Sequence, residues 1–151
     1  MLKKCYCSWS DIRYVVNLRE ERELTMGKII FVALGGALGA TCRYLIGLIP
    51  VKGEFPFLTL LINLCGAVLI GFIVGITLNS GSKSISESQV LFLKVGFCGG
   101  FTTFSTFSLE ALQLMESGKT LYAGVYVVLS VVLCIFGVAF GKYVSSVIFV
   151  K

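Results

Sequence analysis

From residue 57 to residue 78 the chain carries no charged side chain, and it carries none again from 121 to 140. About 20 mostly apolar residues let a helix cross the roughly 30 Å hydrocarbon core of a bilayer. In lipid such a run has only to satisfy its own backbone, which a helix does. Two further segments are nearly as apolar. Residues 29–49 hold one charge, Arg43, while 90–114 hold Lys94, Glu110, three glycines and a dense run of hydroxyls. Composition agrees: 56% of residues are hydrophobic and 14% charged, where soluble domains carry about 25% charged residues. The chain is therefore expected to be an all-α integral membrane protein. Four transmembrane helices are expected at about 29–49, 57–78, 90–114 and 121–141, joined by short polar connections, with a break in the third at mid-membrane near 99–102.

Charge is concentrated at the start. The first 25 residues hold Lys3, Lys4, Arg13, Arg19 and Arg22 against Asp11, Glu20, Glu21 and Glu23. This leader lacks the apolar core and small-residue cleavage site of a signal peptide, and Met26-Gly27-Lys28 opens directly onto the first apolar run. We read 1–25 as a leader or mis-assigned start outside the fold, and 26–151 as the functional body. The net charge of +5 is modest and spread over connections, which is no nucleic-acid footprint. Lysine and arginine counts near the helix ends scarcely differ between the two sides: Lys28, Lys83, Lys142 and Lys151 against Lys52, Lys119 and Arg43. By the positive-inside rule two readings fit, insertion both ways or an orientation set by other signals.

A four-residue spacing recurs at Gly35, Gly39, Arg43 and Gly47, at Ala67, Gly71 and Gly75, and at Gly137 and Gly141, and small residues so spaced let membrane helices approach closely. Cys42, Cys65, Cys98 and Cys134 fall one per helix, with no CxxC and no histidine, so they read as small apolar residues rather than metal ligands. The third segment carries the chemistry. Its string Gly99-Gly100-Phe101-Thr102-Thr103-Phe104-Ser105-Thr106-Phe107-Ser108 pairs a weak helix point with residues able to cap a new one. It is either a glycine kink with hydroxyls bonded to their own helix, or a discontinuous helix offering bare backbone to an ion. Asn63 is interhelical glue or a pair of N–H donors. Tyr126, Ser130 and Cys134 make one weakly polar stripe. Only one carboxylate, Glu110, lies inside a span, which disfavours a proton relay, and without histidine or paired acids an enzyme is not expected.

Gly35-Gly36-Ala37-Leu38-Gly39-Ala40 with Arg43-Tyr44, Thr59-Leu60-Leu61-Ile62-Asn63 with Gly66, and the Gly-Gly-Phe-Thr-Thr-Phe-Ser-Thr-Phe-Ser string together resemble the CrcB family of fluoride channels, also called Fluc. The resemblance spans 26 to about 142. It implies a multi-pass protein of the cell membrane that exports cytoplasmic fluoride passively, lowering its toxicity. It also implies an antiparallel, dual-topology homodimer, or a pair with a paralogous subunit, with two pores and a central structural Na⁺ that is not transported. By position, Gly99 and Thr102 match the residues whose carbonyls hold the sodium, Asn63 the pore asparagine, and Phe104 and Phe107 the phenylalanines whose ring edges face the ion. Thr106 and Ser108 fall in the hydroxyl run, Tyr126 and Ser130 match a polar track in which Cys134 replaces a hydroxyl, and Arg43 and Glu110 match the pore-entrance region. The competing class, a small four-helix multidrug/proton antiporter, relies on a first-helix glutamate that residues 29–49 lack.

Overall fold

The computed structural model describes residues 9–79 and 85–149. Helix α1 covers Trp9–Gly47 and α2 covers Phe57–Asn79. The composite α3 is α-helical over Glu87–Val90, π-helical over Leu91–Phe97 and α-helical again over Cys98–Phe101. Helices α4 (Phe104–Glu116) and α5 (Thr120–Phe149) complete the chain. Four stretches are long and apolar enough to cross a membrane: Thr25–Gly47, Phe57–Leu78, Glu87–Glu116 and Thr120–Phe149. The expected leader lies partly outside the described residues, and 9–25 lie within α1. Lys83 and Lys151 of the charge count are also outside them.

Several ends differ from expectation for local reasons. The first helix stops at Gly47 and tightens through Leu48 N–H to Leu45 O and Ile49 N–H to Ile46 O, at 3.2 and 3.1 Å, ahead of Pro50, which disfavours helix in the residue before it. The third span starts earlier because Ser86 and Gln89 form a reciprocal capping box. The last helix runs past 141 to Phe149, since nothing between Lys142 and Phe149 is a glycine or proline.

Gly99 and Gly100, expected to weaken the third helix, are themselves helical. The chain leaves the helix at Thr102 (φ −78°, ψ 156°) and Thr103 (φ −148°, ψ 111°), and Thr103 caps α4 by accepting from Thr106 N–H. Gly100 serves close approach instead, because a Cβ there would strike the Gly36 carbonyl oxygen of α1.

Helix α1 packs mainly along α3, and α2 mainly along α5. Leu38, Leu45, Phe136 and Ile148 are each more than half exposed, which suits lipid and not water. The α2–α5 pair is drawn together at Gly71 and Gly141, where a Cβ would meet the Val138 and Val68 carbonyl oxygens. Gly141→Val should therefore lower stability by about 1–3 kcal/mol through overpacking. Gly124→Val, where a Cβ meets open space, should stay within about 0.5 kcal/mol. Thermal melting in detergent checks both, and equal midpoints would show that the close approach is dispensable.

Candidate ion pathway at the helix break

The break is held open by a side chain from another helix. Asn63, on α2, donates through Nδ2 to Thr103 O (3.2 Å) and accepts through Oδ1 from Thr103 N–H (2.8 Å). An amide has two N–H donors, so one remains after this clamp. Thr103 N–H is the group that would otherwise close onto Gly99 O in a continuous helix. Likewise Thr106 N–H, which would close onto Thr102 O, is taken by Thr103 Oγ1 at 3.2 Å. Both carbonyls are thereby released from the helical ladder. On the other side, Arg43 Nε donates to Gly100 O at 3.1 Å, placing a cation at the carbonyl end of a helix segment, where the macrodipole favours it.

A cavity of about 390 Å³ opens beside the break. Of the residues singled out in the sequence it gathers Asn63, Gly99, Thr102, Phe104, Phe107, Ser130 and Cys134, together with Lys94 and Thr103. Ser130 Oγ is buried there with no hydrogen-bond partner among the described residues. The two phenylalanine rings lie 5.4 Å apart and are tilted by 43°. Phe104 is 79% exposed in the single chain and Phe107 only 8%.

The remaining named residues lie off this cavity. Tyr126 is fully buried and donates to Glu110 Oε2, while Thr59 Oγ1 donates to Glu110 Oε1, both at 2.8 Å. The Glu110 carboxylate thus ties α2, α4 and α5 together. With Thr59 and Phe55 it lines a second cavity of about 210 Å³ at the 50–56 connection. Phe107 contacts Tyr126, and Tyr126 contacts Phe55, with centroids at 5.1 and 5.5 Å, so aromatic rings run from one cavity to the other. Ser108 Oγ donates back to Phe104 O at 2.9 Å, and Thr106 Oγ1 accepts from Thr103 Oγ1 at 2.9 Å. Sequence reasoning missed Thr103 as the residue that Asn63 clamps, and Lys94 as a cavity residue. A lysine inside an apolar span was the available signal for the second.

Four spans, a third one interrupted in mid-membrane, and a cavity at the interruption walled by an amide, hydroxyls, rings and one lysine define a multi-pass membrane protein of the small-channel class. Residues 30–142 match the family described as CrcB-like protein, Camphor Resistance (CrcB). Relatives named fluoride-specific ion channel FluC include the following three. That of Methylobacterium radiotolerans is 44% identical over 78% of this chain and 83% of the relative. That of Rhodospirillum rubrum is 48% identical over 74% and 89%, and that of Methanococcus vannielii 41% identical over 80% and 98%. The chain belongs to the CrcB family, whose named relatives are channels and not enzymes.

Proposed function

We propose that this chain is a fluoride-specific channel of the cell membrane, letting fluoride leave the cytoplasm down its gradient and so lowering its toxicity. Its functional body is taken as 26–151, and its pores as those of an antiparallel, dual-topology dimer. The observation that carries the reading is the Ser130 hydroxyl, without a partner among the described residues and buried on the cavity that Asn63 and the two phenylalanines also line. Fluoride is small and tightly hydrated, so losing water unpaired is prohibitive, yet sites that bind too well do not conduct. One spare amide N–H, a free hydroxyl and ring edges, the positive rim of the aromatic quadrupole, meet both demands. Tyr126 and Ser130 continue the track along α5, Thr106 and Ser108 supply hydroxyls beside it, and Arg43 and Glu110 frame its ends.

The donor set also suits the structural Na⁺ that the family implies. Gly99 and Thr102 offer carbonyls freed from the ladder, and a Cβ at Gly99 would meet no atom within 4 Å among the described residues. Two such chains facing one another would present four hard oxygens of the kind an alkali cation takes. When bound, the ion would hold the two breaks together by charge.

Liposomes containing only this purified chain should release fluoride, as read by a fluoride electrode, and at zero voltage an imposed sodium gradient should drive no fluoride accumulation. Silent liposomes would refute a channel made by this chain alone and point to a paralogous partner. Sodium-driven accumulation would refute the structural role of the ion. The antiporter alternative lacks support, since Thr25–Gly47 contains no acidic residue.

A further inference from the structure

Lys94 is a charge that the channel reading leaves unused. It lies inside the third span, within the π-helical stretch Leu91–Phe97, and lines the cavity that holds Asn63, Gly99 and Phe104. In an α-helix residues five apart point roughly 140° away from each other. Here Cys98 N–H bonds to Leu93 O, the i to i−5 pattern that brings residues five apart towards one face. The wide turn thus brings Lys94 round towards the side of Gly99, with which it lines the cavity. Its charge is not cancelled, because the ion pairs among the described residues join Lys28 to Glu87 and Lys119 to Glu54. The one carboxylate deeper in the span, Glu110, is occupied by Thr59 and Tyr126. Lys94 itself is exposed. An ammonium in a span belongs in a water-filled cavity, and a cleft with low-dielectric walls focuses its field.

We propose that Lys94 is an anion-recruiting charge at the wet mouth of the pathway, raising the local concentration of small inorganic anions without being a site at which they bind. The inference rests on the fluoride-channel reading. It explains how a pore of neutral donors draws an anion into hydrocarbon depth. The probe is fluoride at subsaturating concentration, with ionic strength set by an impermeant organic salt, and the readout is the ratio of wild-type to variant efflux. Lys94→Met and Lys94→Gln should conduct at least about threefold less than wild type near 10 mM salt, where the Debye length is about 30 Å. Near 1 M, where it is about 3 Å, the gap should close to within about 1.5-fold. Lys94→Arg should track wild type throughout. Equal efflux at both salts would overturn the proposal. So would a loss that salt does not diminish, or failure of both neutral variants to elute as folded protein, since each marks a packing role. A wild type that conducts no fluoride would instead overturn the channel reading itself.

Discussion

An Asn63→Leu channel should pass less than about 1% of wild-type fluoride flux. The substitution keeps the side-chain size but removes both bonds to the Thr103 backbone. A buried polar group left unsatisfied costs about 1–3 kcal/mol, and the Thr103 backbone is part-buried. The cheapest repair is for Thr103 N–H to close onto Gly99 O, which heals the break and withdraws a carbonyl proposed for sodium. The last spare amide donor on the path goes too. A hundredfold loss needs only about 2.7 kcal/mol on the barrier, within reach of either effect. Asn63→Asp separates them, because its carboxylate still accepts from Thr103 N–H while placing negative charge in the anion's way. It should therefore elute as folded protein and still fail to conduct. The account fails if Asn63→Leu, monodisperse in detergent, retains more than about a tenth of wild-type efflux.

The four spans were legible because each is set by its own residues: a charge-free run needs no partner to be recognised as a helix in lipid. The interruption was legible only as a region. Gly99 and Gly100 looked like the weak point from propensity, whereas Gly100 is there because α1 leaves no room for a side chain. What opens the helix is an asparagine 40 residues away in sequence, and that pairing depends on which faces α2 and α4 present to each other. The same holds for Glu110, an isolated acid in sequence whose two partners come from two other helices. The π-helical stretch that carries Lys94 had no signature at all, since a wide turn reflects tertiary packing rather than residue type. Local signals thus located the string, and long-range contacts decided what each of its members does.

Those contacts also separate Phe104 from Phe107, which the sequence placed together on one face. Phe→Ile at either position should lower fluoride flux at least tenfold, a change requiring about 1.4 kcal/mol on the barrier, because isoleucine keeps apolar bulk but has no positive ring edge. Their structural consequences should differ. Phe104 is largely exposed in the single chain, so Phe104→Ile should leave stability unchanged. Phe107 is buried and packs on the Tyr126 ring, so Phe107→Ile should cost up to about 1.5 kcal/mol while still folding. Flux normalised to folded, reconstituted protein removes that difference. Leu109, more than half exposed and outside both cavities, supplies the control, and Leu109→Ile should conduct as wild type. If both phenylalanine variants fold and conduct like that control, the rings are packing alone. The ion would then have to cross elsewhere than along the aromatic series between the two cavities.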